Sequence, residues 1–265
     1  MSRRARRAAL VAIAVISLFA GAAAAGAELT ERGDLFVKFD GGIAPQALPR
    51  ASRAPIAIRV AGTVRTLSGE RPPALRQITI AVNRGGSLDA SGLPTCRKSQ
   101  IEARSTEQAM QVCGSALVGT GHYEAAIAFP EQIAFPLQGP ILAFNAVVDG
   151  KEAILAHVYG TDPFPATRII TFRIRRSRGT FGTVLVGALP PSLNRYGYLK
   201  EIDLRLHRTF TYRGRARSYL GAQCAAPSGF QIGVFAFARV SMAFEDGRKL
   251  SSTLIRSCRV RREAP

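Results

Sequence analysis

His122, His157 and His207 are the only imidazoles in the chain, so a scheme that needs a histidine base or metal ligand has few places to begin. His122 stands two residues before Glu124. In a strand that spacing puts both on one face, where they could exchange a proton, share a metal, or simply form a solvated surface pair, the commoner outcome. His157 lies among Leu155, Val158 and Tyr159 and reads as a satisfied histidine at the margin of a core. His207 has Arg205 and Arg208 nearby and reads as an addition to a basic face.

Nucleophile chemistry fares no better. Cys113-Gly114-Ser115-Ala116 resembles a fragment of the papain-type nucleophile segment, but Ala116 stands where the catalytic cysteine belongs. The chain has no Gly-x-Ser-x-Gly elbow, Walker loop, Gly-x-Gly-x-x-Gly, His-Glu-x-x-His or calcium loop. No metal or cofactor is therefore expected. Carboxylates assembled from distant strands, as in a glycosidase, need no local spacing, which keeps a secreted hydrolase as an alternative.

Arginine placement carries more information. Arg173, Arg175, Arg176 and Arg178 crowd one segment, and Arg205, Arg208, Arg213, Arg215 and Arg217 the next pair. Guanidinium forks suit phosphates and carboxylates, and rows of them on neighbouring strands would merge into one basic face. Residues 28–159 hold 13 basic and 12 acidic residues, whereas residues 160–265 hold 19 and 6. Coding bias explains why lysines number only five, but not this crowding. The expectation is an anion-binding set, Arg173, Arg175, Arg176, Arg205, Arg208, Arg215 and Arg217, that meets an anionic envelope polymer or lipid surface. A merely solvated face is the plainer alternative. Nucleic acid is not expected as a partner: Trp is absent and so is any RNA-binding aromatic signature.

Residues 1–7 carry four arginines and no acid, residues 8–20 are apolar, and Ala25-Gly26-Ala27 offers a small-x-small cleavage site. That order predicts a signal peptide over residues 1–27 and a mature start at Glu28. An N-terminal membrane anchor is the alternative, because the apolar run approaches the ~20 residues of a spanning helix; no transmembrane helix is expected after cleavage. The pairs Arg3-Arg4 and Arg6-Arg7 lack the hydrophobic residues that follow a twin-arginine signal, so the export route stays open. In an oxidising compartment Cys96, Cys113, Cys224 and Cys258 read as two disulfides, with three pairings allowed. Cys96 with Cys113 and Cys224 with Cys258 is favoured, each pair being close in sequence and within one half of the chain.

The elements that must position these residues are strands. Ile56, Ile58, Val60 and Val64 alternate with polar residues, as do Ile78, Ile80 and Val82, then Ile170, Phe172 and Ile174, then Ile202, Leu204 and Leu206. Asp149-Gly150 and Asp246-Gly247 suit tight hairpins; counted outward, the first sets Phe144 opposite Leu155 and Leu142 opposite His157. The second sets Phe237 opposite Arg256 and Cys258 opposite Phe235. Further strands are expected over residues 35–40, 117–129, 181–188 and 215–224. One short helix, capped by Ser105 or Thr106, fits between the first two cysteines. The expected fold is all-β, an antiparallel sandwich or open barrel of about twelve strands. It divides into an N-terminal lobe over residues 28–160 and a basic lobe over residues 161–265, or forms one continuous domain.

Leu93-Pro94-Thr95-Cys96, Cys113-Gly114-Ser115-Ala116-Leu117-Val118-Gly119, Phe144-Asn145, Tyr219-Leu220 through Cys224, Asp246-Gly247 and Arg256-Ser257-Cys258 together resemble a loosely defined group of exported β-rich proteins of high-GC bacteria with no assigned function. The resemblance implies export and local disulfides. The expected role is a non-catalytic binding or structural protein of the cell envelope, with a subunit of a surface assembly as a further alternative. The oligomeric state is left open.

Overall fold

At Asp149 and Gly150 the chain takes positive φ at both residues, 51° and 71°, the twist a two-residue hairpin needs. Leu155 therefore faces Phe144 and His157 faces Leu142, as counted from the sequence. Around this hairpin the computed structural model describes residues 27–162, 164–189 and 196–261. The expected signal segment, apart from Ala27, lies outside the described residues.

Before the first cysteine come β1 (Glu28–Arg32), β2 (Leu35–Ala44), β3 (Ala47–Leu48), β4 (Ala54–Pro55), β5 (Ala57–Thr66), β6 (Leu75–Asn83) and β7 (Gly86–Leu88). After the second come β8 (Leu117–Ile127), β9 (Phe135–Val148), β10 (Lys151–Gly160), β11 (Ala166–Arg176), β12 (Phe181–Ala188), β13 (Gly197–Leu206), β14 (Thr209–Tyr212) and β15 (Arg215–Ser218). The last are β16 (Leu220–Ala222), β17 (Ile232–Phe244) and β18 (Lys249–Val260).

Thirteen of these strands form one curled sheet in the order β1-β2-β5-β13-β8-β9-β10-β11-β12-β6-β17-β18-β3. The fold is thus all-β and an open barrel rather than a sandwich. Strands from residues 28–160 and 161–265 alternate in this order, β13 between β5 and β8, and β6 between β12 and β17. Both halves therefore contribute strands to one continuous sheet.

The sheet curls until β1 and β2 run alongside β18. Side chains hold this seam along β1 and β2, and a short parallel ladder of β3 with the end of β18 continues it. Arg256 is buried and donates from Nε to the Gly41 carbonyl at 2.6 Å and from Nη2 to Asp40 at 3.1 Å. Arg248 reaches Asp34 at 2.6 Å. Burial works against the Asp40 carboxylate, but the Gly41 amide, Arg59 and Arg256 outweigh it and hold its pKa below the ordinary value.

At one end β4, β16 and β7 form a small sheet that caps the barrel, tied to β18 by the Cys224–Cys258 disulfide. The other disulfide, Cys96–Cys113, brackets two short helices, α1 (Lys98–Ile101) and α2 (Thr106–Cys113). Ser105 caps α2, accepting from the Gln108 amide while Gln108 accepts from the Ser105 amide. These helices cover the outer face of β9 and β10: Ile101, Ala109, Leu142, Phe144 and Leu155 share a second core. The hairpin is thereby buried on both faces, which accounts for its unbroken apolar run instead of an alternation.

Candidate functional site: an apolar cavity inside the barrel

Strand parity builds the site. Because alternate residues point to opposite faces, each wall strand sends one row inward: Ile58 and Val60 from β5, Ile78 and Ile80 from β6, Ile202 and Leu204 from β13. Val60, Ile80, Ile170, Ile202 and Leu204 are only half-buried although they point inward, because besides the core residues they pack against they also face open space. That space is a cavity of about 330 Å³. Leu88 and Leu220 of the small sheet line its capped end. At the other end stand Phe129, Phe164 and Tyr196, with ring centroids of Phe129 and Tyr196 5.0 Å apart and of Phe129 and Phe135 5.8 Å apart.

Polar groups in this lining are few. Tyr123 donates to the Tyr159 carbonyl at 3.3 Å, and burial pushes its phenol pKa up. Thr183 and Ser87 contribute hydroxyls, and two charged residues, Arg168 and Asp162, lie toward the aromatic end. Asp162 is the lone carboxylate in the lining among the described residues. The described residues hold no cluster of three metal-ligating side chains.

The arginines expected to form one face are distributed. Strand β11, with Arg173, Arg175 and Arg176, is separated from β13, with Arg205, by β8, β9 and β10, so their rows do not merge. Several are also engaged by acids of the first half: Arg173 with Asp149 at 2.8 Å, Arg176 with Glu152 at 2.8 Å and Arg217 with Asp89 at 2.9 Å. Burial disfavours the Asp89 carboxylate, yet the Ser91 amide and hydroxyl and Arg217 together lower its pKa. Arg208 donates to the Ser115 carbonyl. Arg175, Arg205 and Arg215 are exposed, Arg205 directly across from Arg59 and Arg215 on the β14–β15 hairpin. Such exposed pairs and single charges contribute little to stability.

His122 and Glu124 sit exposed on the outer face of β8, and His207 is exposed as well. His157 is fully buried under the helices. Its Nε2–H donates to the Arg104 carbonyl at 2.9 Å, which leaves Nδ1 as the unprotonated nitrogen, buried and without a partner among the described residues. A second proton would place an unanswered N–H⁺ in this core, and burial accordingly lowers the His157 pKa from 6.5. The neutral ring favours the fold fully above the unfolded value of 6.5, and that contribution is lost as the pH falls below it. Urea unfolding at pH 7.5 and pH 5.5 is expected to show a lower midpoint at the acid value, with most of the difference removed by His157→Gln. An equal drop in the variant would place the titrating group elsewhere.

Arg168 was not among the residues singled out from the sequence. Its signal was there to read: it stands in phase with Ile170, Phe172 and Ile174 on β11 and therefore on their inward face. Compared with known proteins, the chain matches no family model, no curated protein and no solved structure.

Proposed function

We propose that the protein is exported and acts as a binding protein whose ligand is a long apolar chain held inside the barrel. The observation that carries this reading is the cavity, about 330 Å³, within the ~300–1,000 Å³ typical of small-molecule sites and walled almost wholly by aliphatic and aromatic side chains. Two buried disulfides support an oxidising compartment, and among the described residues no helix is long and apolar enough to cross a membrane.

Leu67, Ile133, Phe135, Phe164 and Tyr196 are exposed apolar side chains at the end of the barrel where β5, β8, β11 and β13 meet their loops. This rim gives a chain leaving a lipid surface an apolar path into the interior. Contact with an anionic polymer through the outer arginines has weaker support, since the free ones lie on separate strands. The test is to purify the mature chain under mild conditions, extract it with organic solvent and identify co-purified lipids by mass spectrometry, then titrate the stripped protein with a polarity-sensitive fatty-acyl probe. One bound chain per protein, with a blue-shifted emission, is the expected result. No extractable lipid and no saturable probe binding would refute the reading.

A further inference from the structure

We infer that the ligand of this cavity is an anionic amphiphile, a long alkyl chain ending in a carboxylate or phosphate that Arg168 receives; this rests on the apolar-chain reading above. Arg168 is the sole cation, among the described residues, in a lining that is mostly aliphatic and aromatic. It faces Val158 across the β10–β11 ladder and lies two residues inside the Ala166 end of its strand, about 7 Å down the wall at ~3.3 Å per residue. The one hydrogen bond of its guanidinium, among the described residues, runs from Nη1 to the carbonyl of its neighbour Thr167, at 3.0 Å. No carboxylate comes within 4.0 Å of it among the described residues. Asp162, the other charged residue of the lining, accepts from the Thr161 hydroxyl instead.

An arginine turned into apolar surroundings without a counter-ion is costly; Arg173 and Arg175 of β11 point outward, where water or Asp149 meets them, and Arg176, in phase with Arg168, is paired with Glu152. The inward position makes sense as one half of a charge-assisted, two-pronged hydrogen bond whose other half arrives with the ligand. Depth sets the orientation. A head group on Arg168 sits just inside the aromatic rim, and the alkyl chain continues past Ile170 and Phe172 toward Leu220 at the capped end.

The experiment compares palmitate, lysophosphatidic acid, hexadecanol and hexadecyltrimethylammonium as competitors for the acyl probe, in the wild-type protein and in Arg168→Gln and Arg168→Leu. The wild type is expected to prefer the anionic chains over the alcohol by about tenfold or more, the strength of a charge-assisted hydrogen bond. Both variants should bind all four chains at the level of hexadecanol. The ratio of palmitate to lysophosphatidic acid affinity distinguishes the carboxylate from the phosphate as the natural head. Equal affinity of the wild type for palmitate and hexadecanol overturns the head-group inference and leaves the cavity reading intact. Failure of every chain to compete overturns both. The wild-type comparison decides the matter even if a variant folds poorly.

Discussion

Replacing Leu204 by Trp, alone or with Val60→Trp, is expected to weaken acyl-chain binding by at least about tenfold while the fold survives. Leu204 and Val60 face each other across the β5–β13 ladder, both point into the cavity, and both are only half-buried. An indole there enters open space, so the usual overpacking cost of ~1–3 kcal/mol is at its lower end. The ligand loses what the indole takes. Excluding about two methylenes at ~0.8 kcal/mol each already costs tenfold in affinity. The readout is probe titration beside thermal unfolding, with Ile255→Trp as the control, since Ile255 is 48% exposed and no part of the cavity lining. Unchanged affinity in the double variant, with native unfolding behaviour, would show that the chain binds somewhere other than the barrel interior.

Removing the Cys224–Cys258 bridge by changing both residues to Ala should lower stability by about 4 kcal/mol, and removing Cys96–Cys113 by about 3 kcal/mol, on the loop-entropy relation. The two bridges span 34 and 17 residues. Their structural consequences should differ more than their energies. Cys224 follows β16, the central strand of the cap, and Cys258 lies on β18, so this bridge fastens the lid of the cavity to the wall. Cys96 and Cys113 hold α1 and α2 onto the outer face of β9 and β10. Hydrogen exchange is expected to accelerate at residues 86–88 and 220–222 when the first bridge is cut, and at residues 98–113 when the second is. A uniform acceleration across the barrel in both variants would contradict this local assignment.

How far the sequence could be read depended on whether the information was local. The Asp149-Gly150 hairpin was fully legible, since both central residues take the positive φ that the dipeptide favours. Asp246-Gly247 looked the same and is not. Only Gly247 has positive φ there, 84°, and Phe244 bonds Arg248 around a longer loop, which shifts the ladder by one residue. A bulge at Phe237 shifts it again, so that Arg256 faces Phe235 and Cys258 faces Gly233. Nothing in the dipeptide distinguishes these turns.

The disulfide pairing and the inward rows of aliphatic residues were also local and were read correctly. What closure brings together was not. The acids that engage Arg217 and Arg256 lie 128 and 216 residues away, so the arginines of the second half resembled a free surface although five of them pair with acids of the first half among the described residues. The cavity itself has no sequence signature, because an inward aliphatic row looks the same whether it meets another side chain or empty space.

The seam carries a consequence for the order of assembly. Arg256 reaches Asp40, and β3 pairs with the last residues of β18, so the wall is completed only when the final hairpin docks against the opening strands. Contacts this distant place the chain among slow folders, with closure on a scale of about milliseconds to seconds. Until then the interior is an open apolar trough, and the same surface that later encloses a guest is the surface through which the unfinished molecule would aggregate or be held by a chaperone.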